Sequence, residues 1–354
     1  MRANEEKPTT PPTGTTPAKA PVSREEQLDA LGPQYSKDSP FAKRMRLHQS
    51  WYRANELGVR CGTGPHSTST SHYGNMLTDA DAKAGRNFIS PAALAYARLK
   101  VAEKATNRYL TIDEYRLYSN MLSSQPMCFN LFADLWLGVA ASWPNSSEVL
   151  AAMFVGSDIA QVISVEVEMI PRPTGDYIGD RTAFDALVRF QGKDGKPGIV
   201  AIEMKYTDTL GDNVARDPKQ QFQFAADVGL LTPEGREYYQ RRKGFDQVAR
   251  NLLLTLSYAH KHNMGNAINY VLGPEQDTQT PDIIRNLQSR LTPKYQDRIV
   301  WLPLQTAVDQ GRDKANAYHT DHLMRFHQRY LDLGQSQHLV ADPRSGHSES
   351  AMQA

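Results

Sequence analysis

A chain of 354 residues with 40% hydrophobic and 9% aromatic content can bury a real core, as one large domain or two ordinary ones. Its formal net charge of +1 excludes a uniformly basic nucleic-acid binder, so any surface for a polyanion has to be a local patch. Cys61 and Cys128, the only cysteines, stand in no metal-type spacing, which excludes a disulfide scaffold and a structural zinc site. No apolar run has the length of a membrane span or a signal peptide, so the expectation is a soluble, cytoplasmic protein with no membrane partner.

Residues 1–36 repeat Pro, Thr, Ala and Glu with few large apolar side chains, which predicts a disordered tail. The polar residues 334–354 predict a second, flexible one. Between them, 37–333 reads as a single domain, helical over 37–143 and mixed over 144–333. Residues 41–57, FAKRMRLHQSWYRANEL, have apolar side chains at helical intervals with basic residues between them, either on a solvated face or against phosphates. Residues 61–73 read as a loop, and His66 and His72 have no acidic or Cys neighbour at ligand spacing. Ser90-Pro91 opens a helix to about residue 105. Thr111 with Glu114 has the form of a capping box before another, from about residue 112, and a further apolar helix runs from about 126 to 137. Asn120, Ser123, Ser124, Gln125 and Asn130 sit in this apolar neighbourhood, where capping and turn hydrogen bonds account for them.

A helix over 147–154 precedes VISVEVEMI at 162–170, which alternates strictly. Val165, Val167 and Met169 share one strand face, and Ser164, Glu166 and Glu168 the other. Residues 181–206, RTAFDALVRFQGKDGKPGIVAIEMKY, are two apolar runs around an Asp194-Gly195 turn, a hairpin pattern. Asp185, Leu187 and Arg189 share a face of its first strand, and Ile199, Ala201, Glu203 and Lys205 a face of its second. The three strands form an antiparallel meander. Helical patterns follow at about 219–228, 233–242, 244–263 and 313–333, with strands at about 268–272 and 298–302. Asp246, Gln247, Arg250 and Asn251 cluster in the first two turns of the third of these helices. Arg236, Arg241, Arg242 and Lys243, just before it, suit a phosphate backbone or a solvated helix end equally well.

Two carboxylates and a lysine on apolar strands are costly to bury unless paired or bound to something. Asp185 and Glu203 supply the hard oxygens that hold Mg²⁺, and Lys205 stands on the side of the strand that Glu203 occupies, as a compact cation for a phosphate or a water. An ordinary Asp185–Lys205 salt bridge, with Glu203 exposed at the sheet edge, is the competing reading of the same residues.

The hairpin resembles the catalytic core of the PD-(D/E)XK nuclease superfamily, with Asp185 as its aspartate and Glu203-Met204-Lys205 as its triplet; Phe184 stands where the pattern often has proline. More narrowly the chain is similar to a bacterial family of restriction endonuclease-like proteins, through HQSWYR (48–53), NFISP (87–91), YRLYSNMLSSQPMCFNLF (115–132), GDRTAFD (179–185), IEMKY (202–206) and QVARN (247–251). That resemblance implies an α/β, restriction-endonuclease-like core: a central mixed sheet flanked by helices, with a helical N-terminal region. It implies Asp185, Glu203 and Glu168, in preference to Glu166, as ligands of Mg²⁺, with Mn²⁺ able to substitute, and Lys205 as the catalytic lysine. Gln125, Asn130, Gln247, Arg250 and Asn251 match polar positions of the family and are expected to line the site or contact DNA. The activity implied is a restriction or defence-type endonuclease acting on DNA, compatible with a homodimer. A non-cleaving binding protein on the same fold, a repair exonuclease and an RNA-directed nuclease stay open as alternatives.

Overall fold

Helix formation starts inside the stretch whose composition suggests a tail. Ser23 and Glu26 form a capping box that opens α1 (Arg24–Ala30), and Leu31, 2% exposed, anchors its end. The computed structural model describes residues 23–340 apart from 108, 144, 209 and 212. The rest of the expected N-terminal tail, 1–22, and residues 341–354 lie outside the described residues. The short 3-10 segment Leu333–Leu339, with Leu339 buried, extends the packed structure into the stretch expected to be a flexible C-terminal tail.

Ser39 caps α2 (Pro40–Asn55). Several of its polar side chains are not solvated: His48, Gln49 and Ser50 are 0% exposed and Arg53 is 2% exposed. Arg53 donates to the carbonyls of Ala30, Leu31 and Gly74, tying α2 to α1 and to a hairpin of β1 (Cys61–Thr63) and β2 (His72–Leu77). Residues 64–71 are the loop expected there, but 61–63 and 72–73 at its two ends are paired strand. Gly62 permits the pairing, because a Cβ there would stand 2.0 Å from the Leu77 carbonyl oxygen. A residue type that signals a loop in sequence here admits close backbone approach.

The helices α3 (Asp79–Lys83) and α4 (Pro91–Thr106) follow, then α5 (Glu114–Ser119). The cap of α5 is Asp113, whose side chain accepts from the Arg116 N–H; Thr111 is not the cap. In the middle of α6 (Ser124–Ala140) stands Asn130, 0% exposed. Its amide donates to the Asn87 carbonyl at 3.0 Å and the Tyr330 hydroxyl at 2.8 Å, and accepts from the Ile89 N–H at 3.0 Å. Arg329, also fully buried, donates to the same Asn87 carbonyl at 2.7 Å. The expectation that Asn130 lines the site or contacts DNA meets a fully buried side chain that acts as an internal strut between helices, with both amide protons and its oxygen engaged by buried protein groups.

After α7 (Ser146–Met153) come β3 (Ile159–Met169), β4 (Phe184–Gly192) and β5 (Pro197–Met204). Then follow α8 (Lys219–Asp227), α9 (Pro233–Arg242), α10 (Gln247–Lys261) and β6 (Asn266–Gly273). The chain ends in α11 (Gln279–Gln288), α12 (Pro293–Gln296), β7 (Ile299–Pro303), α13 (Leu304–Arg312) and α14 (Ala317–Tyr330). The sheet order is β3-β4-β5-β6-β7. The first three strands are an antiparallel meander and β5, β6 and β7 are parallel, so the sheet is mixed and its parallel half is joined through helices. Val188, Val200 and Ile202 face Phe129, Phe132 and Leu135 of α6, while Leu187, Ile199 and Ala201 face Val248, Leu252 and Leu253 of α10. Both faces are therefore covered by helices. Among the described residues no helix is long and apolar enough to cross a membrane.

Replacing Asn130 by Ala leaves the Ile89 N–H and the Tyr330 hydroxyl short of a partner. Thermal or urea unfolding should then show a loss of about 1–3 kcal/mol, with no change in divalent-cation affinity.

Candidate active site

The β4–β5 hairpin sets the site by its register. Ala186 lies opposite Ile202 on one side and opposite Val167 on the other. One step further along both ladders, Asp185 stands between Glu168 and Glu203. Carboxylates on three adjacent strands thus form a row at the carboxyl end of β5, the end at which ligands bind in sheets with parallel strands. Lys205 is two residues beyond Glu203. Like charges facing one another across strands destabilise a sheet, so each needs a local answer.

Each carboxylate finds a different one. Asp185 Oδ2 accepts from the Met204 N–H at 2.7 Å, where the β4–β5 ladder gives out, and its Oδ1 accepts no hydrogen bond from a described residue. Glu203, 4% exposed, is fully engaged. Its Oε1 takes Lys205 Nζ at 2.8 Å and Gln247 Nε2 at 2.7 Å, and its Oε2 takes Asn251 Nδ2 at 2.6 Å. The ion pair is therefore Lys205–Glu203 rather than Lys205–Asp185, and Glu203 is not exposed at a sheet edge. Glu168 Oε1 accepts from Gln125 Nε2 at 2.8 Å.

Glu168 reaches the row through a local departure from strand geometry. Its φ is +54°, a left-handed conformation that costs a non-glycine residue about 1–3 kcal/mol. The strict alternation expected over 162–170 breaks there: Val165 and Val167 pack in the α6-side core, whereas Met169 packs against the α10 side. Glu166, the other acid of β3, is tied to Arg189 of β4 and does not line the cleft.

Burial raises the Asp185 carboxyl well above the usual range, and the Glu203 and Glu168 charges push it the same way. Burial likewise raises Glu168, which Gln125 partly offsets and Glu203 reinforces. For Lys205, burial favours the neutral amine, but the Glu203 and Asp185 carboxylates outweigh it, so its affinity for a proton ends above the ordinary lysine value.

The row opens into a cleft of about 360 Å³. α10 brings Gln247, Arg250 and Asn251 to it from one layer, and α6 brings Ser124 and Gln125 from the other. Arg250 is held by Asp180 at 3.5 Å. The cleft also contains residues that sequence reasoning did not single out, notably Asp208, Arg116 and Arg181. Asp208 is fixed by Arg116 at 3.4 Å and Ser124 at 3.1 Å. Its position, three residues past Lys205, is the one signal that could have marked it. None of Arg236, Arg241, Arg242 and Lys243 lines the cleft, and Arg241 pairs with Glu237 on α9.

Among the described residues no group of three or more His, Cys, Asp or Glu side chains is arranged to hold a metal ion. The donor chemistry nonetheless fits a hard divalent cation. Asp185 has an uncommitted oxygen, Glu203 is its cross-strand neighbour, and the crowding that raises Asp185 and Glu168 is relieved by a positive charge. Mg²⁺ keeps several waters and is held by one or two carboxylates, so a three-acid cage is not required.

A family model described as the PD-(D/E)XK nuclease superfamily matches residues 36–332. No curated protein and no solved structure matches the chain.

A carboxyl whose folded pKa lies above its unfolded value of about 4 contributes stability that is complete below that value and is lost as pH rises through the folded pKa. Asp185→Asn, which keeps an acceptor for the Met204 N–H, removes that loss. In metal-free buffer the melting temperature of Asp185→Asn relative to wild type should therefore be higher at pH 7.5 than at pH 4.5. Millimolar Mg²⁺ should raise the melting temperature of wild type and not of the variant. An identical difference at the two pH values contradicts the burial of an uncompensated Asp185 charge.

Proposed function

The chain belongs to the PD-(D/E)XK nuclease superfamily, and from that premise we propose that it is a divalent-metal-dependent deoxyribonuclease, hydrolysing DNA phosphodiester bonds. The observation that carries this reading is the placement of Asp185, Glu203 and Lys205 together on one end of the β4–β5 hairpin, with Glu168 in the same row.

Asp185 and Glu203 would hold Mg²⁺, or Mn²⁺ in its place, with Glu168 as a further donor. When bound, such an ion supplies positive charge to the scissile phosphate and makes a water more acidic. The protein's own residues do the positioning. The Met204 N–H fixes the Asp185 carboxylate through Oδ2 and leaves Oδ1 uncommitted, and Gln247 with Asn251 holds the Glu203 carboxylate in one orientation. Lys205 remains an ammonium at neutral pH because the neighbouring carboxylates raise its pKa. It therefore acts as a cation rather than as a base, donating to the attacking water or to the phosphate oxygens as charge builds on them. The water oxygen bonds to phosphorus, the bond from phosphorus to the leaving sugar oxygen breaks, the water's proton passes to solvent, and the leaving oxygen is protonated by a second water. The proposal extends to a restriction or defence role, on the resemblance to restriction endonuclease-like proteins.

Incubation with supercoiled, linear and single-stranded DNA in Mg²⁺ tests this, with RNA as a parallel substrate. Wild type should cut DNA. Asp185→Asn and Lys205→Ala, folded by circular dichroism, should be slower by about 10²–10³-fold, and Glu168→Gln should lose more activity than Glu166→Gln. Wild-type protein that binds these substrates but leaves all of them intact in Mg²⁺ and in Mn²⁺ would pass the assignment to a non-cleaving binder.

A further inference from the structure

Four cationic side chains line the cleft: Arg116, Arg181, Lys205 and Arg250. Three are paired with a carboxylate, Arg116 with Asp208 and Lys205 with Glu203 inside the cleft, and Arg250 with Asp180 outside it. Arg181 alone has no ion pair among the described residues. The adjacent Asp180 is turned away from it, since its Oδ2 takes Arg250 at 3.5 Å and Gln221 at 2.9 Å, and its Oδ1 takes the Thr182 N–H at 2.9 Å.

Arg181 is exposed, and its guanidinium carbon sits 4.9 Å from the centre of the Tyr109 ring. Arg172, also exposed and on the turn that follows β3, stands 4.5 Å from the same ring. It too forms no ion pair among the described residues; Glu103, which feels its charge, is paired with Lys100 at 3.2 Å. Tyr109 precedes Thr111 and Asp113, which line the cleft, so the cluster stands at the rim. A single exposed cation over an aromatic face gains about 0.5–1 kcal/mol. Two on one ring also repel each other, and an anion between them removes that repulsion.

A polyanion approaching this cleft meets carboxylates on its floor. We propose that Arg172 and Arg181, arrayed on Tyr109, are the clamp that holds the phosphodiester backbone of the substrate strand at the rim, opposing the repulsion of the acidic floor. This rests on the nuclease reading for the identity of the strand. Guanidinium forks suit the task because they bind phosphate oxygens in pairs.

The test is binding of a fluorescein-labelled 20-base-pair duplex, read by anisotropy over a range of salt. It is made in an Asp185→Asn background so that the strand stays intact, with cleavage by otherwise wild-type protein measured separately. Arg172→Gln with Arg181→Gln should weaken binding about tenfold at moderate salt and lower the slope of log K against log salt by about 1.8, some 0.9 for each phosphate that is no longer neutralised. Melting temperature should fall by no more than about 2–4 °C, the size of the lost contacts with the ring. Lys193→Gln, in the hairpin turn at the other end of the sheet, should leave affinity and slope as they are. An unchanged slope in the double variant, with DNA still bound and cut, overturns the clamp alone. A reduced slope in a protein that cuts nothing keeps the clamp and removes the nuclease reading. Absence of duplex binding in the starting protein overturns both.

Discussion

Carboxylates on three adjacent strands, set level with one another by the register of β3, β4 and β5, are the constraint around which the remaining structure is arranged. Burying such charges without partners is expensive, and the helical layers on the two faces of the sheet both contribute to meeting that cost. From one layer α10 delivers Gln247 and Asn251 to Glu203, and its N-terminal end adds the partial positive charge of a helix start. From the other, α6 delivers Gln125 to Glu168. The apolar alternation of β4 and β5 is packed on both sides, so the acids at the sheet end sit on strands that cannot easily shift to relieve their repulsion. Asp185 remains the least compensated of the three, which is the property expected of a ligand position.

Much of this was legible in the sequence, and the reasons for the exceptions are physical. Period-two patterning located β3, β4 and β5 and placed Asp185 and Glu203 on a shared face, because strand alternation is a local property. The two later strands and α10 were legible from apolar runs for the same reason. Glu168 was less so: its positive φ turns it out of the alternation, and nothing local distinguishes it from Glu166, which is committed to Arg189. Residues that meet across long separations were out of reach. Arg116, Asp208 and Arg181 come from three different parts of the chain and share a cleft only after folding.

Composition misled where polar residues are structural. The basic residues of 41–57 suggested a solvated or phosphate-facing helix surface, whereas Arg53 is buried and, with the buried His48 and Gln49, fastens α2 to α1, to the β1–β2 hairpin and to the C-terminal helix and segment. Burial lowers His48 to about 4, so it stays neutral at ordinary pH. Asn130 followed the same logic. In this fold a polar side chain inside an apolar run more often satisfies buried backbone groups than meets a ligand. Most of the cleft cations are likewise already matched to a carboxylate.

The most direct measurement is anomalous diffraction from crystals grown in Mn²⁺. A single peak is expected between the carboxylates of Asp185 and Glu203, at metal–oxygen distances of about 2.1 Å, with Lys205 beside it and no peak in Asp185→Asn. Empty space there at millimolar Mn²⁺, in a preparation that still cuts DNA, would contradict the assignment of the catalytic ion to this hairpin.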